Sequence, residues 1–418
     1  MAWCRSRCRV PVMRRTPTEQ AGPLKAAMHT GVEVILIGDS IPTGLPTSLV
    51  TAQRKVASTF DAEDVLAVLD TELGGRPLAG VVTWSDAAVE TVAAVGAAHG
   101  VPTASRNAAA ICRDKARMRS ALSARRPDLC PSFARVGTWA QTLAAASGMN
   151  FPLVLKPVSG SGSKGIYRVE TVEELHRAHE ALTALVDPGR DPIFTGHAGD
   201  LILEEFLEGS EHSVEGVVHD GRIVVFGVTD KRTTEPFRLE EGHVFPSRLP
   251  TADLASVDDL VQETIAAFGL DNSAFHLECM VGPDGKARLV ECAARGGGDF
   301  IVSDLIGAST GRHAATNVLR VALGEAPHTA PPRVVAGVRK IMADREGRFE
   351  RVEGLDEALR LPGVEKIVLE RPRGATVHLP PRDFGSAVIG AVIATAPTVD
   401  EVEAVLDAAV AALVPVIT

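Results

Sequence analysis

Apolar positions along the chain alternate between short continuous runs and spaced stripes. Val32–Ile37 (VEVILI) is a continuous run closed by Gly38, Asp39 and Ser40, the pattern of a parallel strand buried on both faces. Asp61–Leu73 carries apolar residues at helical spacing, Leu78–Thr83 (LAGVVT) reads as a second strand, and Asp86–His99 as a second helix ended by Gly100, Val101 and Pro102. Strands alternating with helices through short Gly/Pro connections predict βαβ units around a parallel sheet. This unit is expected over 29–112.

The pattern then changes. Asp114–Leu122 (DKARMRSAL) predicts a helix leading out of the first unit. Phe151–Val158 and Ile166–Val169 read as strands around a Ser159–Gly165 loop, and Leu201–Phe206 as another strand. Thr171–Leu185 is a predicted helix opened by a Thr171-x-x-Glu174 capping box. From Ser213 to about Ala294 the chain is strand-rich and antiparallel, with one helix near Leu254–Phe268. Gly311–Leu323 is helical, Pro331 and Pro332 mark a boundary, and 333–418 reads as a small α+β tail. The expected class is α/β and α+β, divided into 1–28, 29–112, 113–205, 206–330 and 331–418.

Composition narrows the class. The 418 residues are 45% hydrophobic and 23% charged, ordinary for a globular chain that buries a real core and unlike disordered, collagen-like or coiled-coil sequences. No run approaches the roughly 18 apolar residues of a membrane span. A net charge of -10 argues against a nucleic-acid scaffold, whose domains are strongly basic. The profile is that of a cytoplasmic α/β enzyme. Residues 1–28 depart from it with six basic residues and one acid, but no apolar segment of signal-peptide length follows. They read as a disordered leader, with Met13 or Met28 as alternative starts. The six cysteines show neither a CxxC nor zinc spacing, so reduced, mostly buried thiols are expected. Cys279 and Cys292 read as packing.

Three segments carry candidate chemistry. Gly160-Ser161-Gly162-Ser163-Lys164-Gly165 matches GxGxxG, yet a strand rather than a helix follows, which excludes the dinucleotide and P-loop readings. What remains is a strand–glycine loop–strand flap whose N–H groups can fold over phosphates, or an ordinary Gly/Ser hairpin loop. Lys156 interrupts the apolar strand LVLKP, and a lysine there requires an anionic partner; a triphosphate would satisfy it. In Phe275–Arg295 (FHLECMVGPDGKARLVECAAR), Asp284-Gly285 reads as a two-residue hairpin turn. Pairing Pro283 with Lys286 sets Glu278 opposite Glu291. Like charges so placed destabilise a sheet unless a cation intervenes, and Mg²⁺ suits hard oxygen ligands beside phosphates. His276 and Met280 share that face, whereas Leu277, Cys279, Val290 and Cys292 take the other. A solvated acidic hairpin is the plainer alternative. Leu201–Glu211 (LILEEFLEGSE) could present backbone groups to an adenine edge and Glu211 to a ribose, or form a solvated acidic turn.

Taken in order, Asp114-Lys115 with its helix, LVLKPVSGSGSKGI (153–166), LILEEFLEGSEHSVEG (201–216), FHLECMV (275–281) and LVECAARGGGDFI (289–301) resemble the ATP-grasp superfamily, and within it the carboxylate–amine ligases that join L-amino acids. The resemblance implies an ATP-grasp fold with an N-terminal parallel α/β (Rossmann-like) domain, a small lid with linker helix, an antiparallel catalytic core and a C-terminal α+β domain. It implies ATP and Mg²⁺, with Mn²⁺ as the alternative ion, and a homodimer. Lys115 and Lys156 would contact the nucleotide phosphates, under a flap of Ser159, Gly160, Ser161, Gly162, Ser163 and Gly165. Glu204, Glu205, Phe206 and Leu207 would hold adenine and Glu211 the ribose. Glu278 and Glu291 would bind the metal, Arg295 would stabilise the transferring phosphoryl group, and Lys231 and His243 would meet the second substrate or phosphate. Many members carry asparagine where Ala293 stands; alanine cannot ligate, which leaves Glu291 and water for a second ion.

The implied activity is an ADP-forming ligase that activates a carboxylate as an acyl-phosphate and joins it to an amine. Its partners are small molecules rather than nucleic acid or membrane. Alternatives are a biotin-carboxylase-like enzyme activating bicarbonate, although no Met-Lys-Met biotin site occurs, and a non-catalytic nucleotide-binding module.

Overall fold

The computed structural model describes residues 8–12, 24, 26–27, 32–39, 50–160, 162, 164–235, 237–383 and 385–418. Within them the N-terminal sheet is parallel, with β1 (Cys8–Val12), β2 (Glu33–Gly38), β3 (Ala52–Lys55) and β4 (Leu78–Thr83) in the order β3-β2-β1-β4. The expectation of a disordered leader is thereby corrected at Cys8–Val12, an interior strand paired with both β2 and β4. Arginines within and around it (Arg7, Arg9, Arg14) masked a five-residue strand too short for periodicity to reveal. Leu24, Ala26 and Ala27 are also buried, against the catalytic core. Met13 and Met28 lie outside the described residues. Helices Ala62–Leu73 and Val89–His99 follow, and the first is capped by the Asp61 carboxylate, which accepts from Glu63 and Asp64 N–H.

The lid sheet joins β5 (Phe133–Val136), β6 (Leu153–Pro157), β7 (Tyr167–Val169) and β8 (Leu201–Glu205) in the antiparallel order β5-β8-β6-β7. Helices Trp139–Ala146 and Val172–Leu185 cover it. The linker helix Lys115–Ser123 begins at an Asp114 cap, and Lys115 N–H donates to Val158 of the lid.

The catalytic core is built on β9 (Ser210–His219), β10 (Arg222–Thr233), β11 (Glu240–Phe245), β12 (Ser273–Val281) and β13 (Ala287–Ala293). Past Pro332 come β14 (Val335–Met342), β15 (Gly347–Glu353), β16 (Val364–Leu369), β17 (Thr376–Val377), β18 (Val388–Ala396) and β19 (Val414–Ile417). The boundary at 331 is no break in the sheet, because β11 pairs with β14 and one eight-stranded antiparallel sheet runs β13-β12-β9-β10-β11-β14-β18-β16. Strands β17, β15 and β19 form a separate three-stranded sheet. Helix Thr251–Phe268 packs on one face of the core strands, burying Cys279 and Cys292 among Leu277, Leu289 and Phe275. Cys112, Cys130, Cys279 and Cys292 are free thiols; Cys4 lies outside the described residues. No described helix is long and apolar enough to cross a membrane.

Candidate active site

The hairpin that brings two acids together departs from the expected one. The last ladder pair before the turn is Val281 with Ala287, and Gly282 N–H donates to Lys286 O. The loop is therefore Pro283-Asp284-Gly285, with Gly285 at φ 71°, a three-residue connection closed by a left-handed glycine. This turn shifts the register by one residue from the expected two-residue turn. A bulge then restores it, since Cys279 pairs with Leu289 but Glu278 with Glu291, which leaves Val290 as the inserted residue. The expected acid pair is found, reached through a different turn.

Those acids border a cavity of about 460 Å³ between the lid sheet and the large sheet. Lys115, Lys156, Ser159, Gly160 and Gly162 line its lid side, with Glu204, Glu205, Phe206 and Leu207 beside them. Glu211, Lys231, His243, Glu278, Glu291 and Arg295 line the core side. Gly165 is not brought to the cavity wall; a Cβ there would lie 2.6 and 2.7 Å from Leu182 and Leu185, so it serves packing of the lid helix. Ser161 and Ser163 lie outside the described residues.

Every buried charge in this cavity has a protein partner. Lys156 Nζ is 2.5 Å from Glu204 Oε2, and Arg119 Nε is 2.7 Å from Glu204 Oε1. The anion that was expected to satisfy Lys156 is thus supplied by the neighbouring lid strand. Burial lowers the Lys156 pKa, opposed by Glu204. For Glu204 burial acts upward, but Arg119 and Lys156 more than offset it and the carboxyl falls below its usual range. Glu291 Oε2 meets Lys115 Nζ at 2.7 Å; against burial, that lysine holds the carboxyl below its usual range. Glu211, expected at a ribose, pairs with Lys231 at 2.8 Å and Arg238 at 2.7 Å. Lys231 Nζ also meets Glu240 and Glu278 at 2.9 Å each, and these acids raise its pKa well above the usual value against the burial penalty.

Glu215, Asp86, Glu240 and Asp299 had no role in the sequence reading, and His276 was read there only as a neighbour of Glu278 on its face. His276 lies directly across from Glu215 on β9; its Nδ1 bonds Glu215 and its Nε2 is 3.2 Å from Glu278. Burial would lower its pKa, yet Glu215 and then Glu278 raise it to about 10. Glu215 also accepts from Gly297 N–H at 2.9 Å, tying down the glycine stretch after Arg295. Glu211, Ser213 and Glu215 recur at period two in a buried strand, a signal that could have exposed this polar face. Arg295 donates to both carboxylate oxygens of Asp86, from Nε at 2.8 Å and Nη2 at 2.6 Å. Asp86 sits just beyond the carboxyl end of β4, where open α/β sheets gather ligand-binding groups. Glu240, His243 and Asp299 place ligand atoms within 4.8 Å of one another. His243 Nε2 is 3.8 Å from both acids, and Lys340 meets Asp299 at 2.9 Å. Burial opposes the charge on His243, but Asp299 and Glu240 raise its pKa. Lys231 and His243 face each other across β10 and β11.

Glu278 and Glu291 fit a divalent ion. They are directly opposed, their oxygens are hard donors, and each is held by an ammonium that a metal could replace. Ala293, opposite His276, adds no ligand.

The lid over an antiparallel core, enclosing lysines, a glycine loop and paired acids, defines an ATP-grasp fold, whose chemistry uses ATP and a divalent metal. Residues 149–304 match the ATP-grasp domain model, and 339–418 match the L-amino acid ligase C-terminal domain 2. The chain thus holds an ATP-grasp domain, followed by a segment that matches the C-terminal domain of L-amino acid ligases. The structure of an L-amino acid ligase from Bacillus licheniformis superposes with a TM-score of 0.85 at 24% identity, over 99% of both chains. Carnosine synthase 1 of Gallus gallus is 32% identical over 215 residues, half of this chain and 23% of that protein. Alanine–anticapsin ligase of Bacillus subtilis is 29% identical over 212 residues, 47% of this chain and 44% of that enzyme. The matches to these two curated relatives thus span less than half of either one's length.

Proposed function

We propose that this chain is an ATP-dependent, ADP-forming ligase that joins the carboxylate of one amino acid or small metabolite to the amine of another. The carrying observation is one cavity holding a glycine loop, buried lysines, two opposed carboxylates and a buried arginine beside a second polar group around His243. A carboxylate is a poor electrophile. Transfer of the γ-phosphoryl group breaks its bond to the ADP oxygen and forms one to a carboxylate oxygen. The amine nitrogen then attacks the acyl carbon, phosphate leaves, and the nitrogen sheds a proton.

In this reading Lys115 and Lys156 bind the phosphates and Gly160 and Gly162 close over them. Glu204 to Leu207 receive the adenine and Glu211 the ribose. Arg295 neutralises charge that develops on the phosphoryl oxygens, where preorganised donors act most strongly. Glu278 and Glu291 hold Mg²⁺, or Mn²⁺, which offsets phosphate charge when bound. Glu240, His243 and Asp299 with Lys231 offer donors and acceptors to the amino-acid end. Closure of the lid keeps water from the acyl-phosphate.

The test is ADP release with a panel of amino acids, each alone and in pairs. Release that requires both a carboxylate and an amine supports the reading; dependence on bicarbonate, or nucleotide binding without turnover, overturns it. A cytoplasmic location and a homodimer are proposed beside it, to be checked by fractionation and light scattering.

A further inference from the structure

We infer that Arg119 is the positioning residue that holds Glu291 in register with Glu278; the inference rests on the proposed function. The turn alone sets residues opposite one another as Val281 is set opposite Ala287. Carried through the hairpin, that register would place Val290, not Glu291, across from Glu278. One inserted residue repairs it, and Val290 is that residue. A bulged residue leaves a backbone group without its ladder partner. Here the Val290 carbonyl accepts from Arg119 Nη2 at 2.7 Å.

Arg119 is only 1% exposed. Lys115 precedes it by one helical turn on the same helix face, and meets the Glu291 side chain at 2.7 Å. One face of the linker helix therefore grips both the side chain of Glu291 and the backbone just before it. The same guanidinium meets Glu204 of the lid at 2.7 Å, and Glu204 meets Lys156. Arg119 thus joins the nucleotide side of the lid to the irregularity in the core hairpin. A planar fork of donors can serve a carboxylate and a carbonyl at once; a lysine ammonium, a single point, cannot reproduce both contacts.

The experiment measures ADP affinity by calorimetry, with and without magnesium, in the full chain. The gain in affinity on adding magnesium reads the state of the acid pair. In Arg119→Lys and Arg119→Met that gain is expected to fall roughly 10- to 100-fold, the range for groups that orient metal ligands. Arg119→Lys keeps a cation beside Glu204, and so supplies a folded chain should the methionine variant fail to fold. Glu204→Gln separates the two arms, since it weakens magnesium-free ADP binding while leaving the magnesium gain in place. An undiminished gain in Arg119→Lys overturns the inference, as does a loss in Glu204→Gln equal to that in Arg119→Lys. A wild-type chain whose ADP affinity ignores magnesium overturns the proposed function together with it.

Discussion

At the scale of single residues, the cavity manages charge by pairing rather than by exposure. Lys156 and Lys164 stand on either end of one flap, yet their surroundings differ. Lys156 is buried against Glu204, whereas Lys164 is partly exposed and meets Asp191 at 2.6 Å. Lys156→Ala should therefore raise the KM for ATP or lower kcat more than Lys164→Ala, as steady-state ADP formation will read; the reverse ranking would discredit the assignment of Lys156 to the phosphates. Glu291→Ala should abolish ADP formation while circular dichroism still reports a folded chain, although the melting point should fall because Lys115 loses its partner. Near-normal turnover in that variant would remove the metal assignment. The acid pair and Lys156 were legible from spacing and burial. Their partners were not, because Arg119 and Glu204 lie 85 positions apart and meet only through packing.

At the scale of elements, irregularities do much of the positioning. The three-residue turn and the bulge at Val290 shift register in opposite senses, and the acid pair depends on both. Period-two reasoning reaches such a pair only by assuming an unbroken ladder. Gly297 shows a similar constraint, since a Cβ there would lie 2.4 Å from Glu215 Oε1, which is itself bonded to His276. Gly297→Ala should cost about 1–3 kcal/mol in denaturant unfolding, the range for overpacking a tight site, and should also slow ADP formation. Helix caps were plainer in the sequence. Thr171 caps Val172–Leu185 where the Thr171-x-x-Glu174 pattern placed it. Thr398 makes a full capping box with Glu401 at the head of Val399–Ala412, and Thr398→Ala is expected to cost about 1 kcal/mol in the same measurement.

At the scale of the whole molecule, one sheet crosses the boundary that Pro331 and Pro332 suggest. Lys340 on β14 reaches Asp299, so the C-terminal segment takes part in the cavity. Across the other boundary, Asp86 beyond β4 grips Arg295. Burial works against the Arg295 charge, and Asp86 raises its pKa regardless. Removing one partner of a buried pair strands the other, so Asp86→Ala should lose about 3 kcal/mol of stability and should slow phosphoryl transfer, as thermal melts and single-turnover ADP formation will show. Unchanged values in both would mean that the N-terminal sheet is a passenger rather than a support for the site.

The alternation of apolar runs and stripes, the turn residues and the caps are local properties, and they determined by themselves that this chain builds a parallel α/β unit, a strand–glycine loop–strand segment and an antiparallel hairpin bearing two acids. Which charge meets which was decided only in three dimensions, because ion pairs and bulges join strands and helices remote in sequence and carry no period of their own. Cys8–Val12 marks the limit on the local side: five residues, Arg9 among them, become an interior strand only because β2 and β4 stand ready to pair with both its edges.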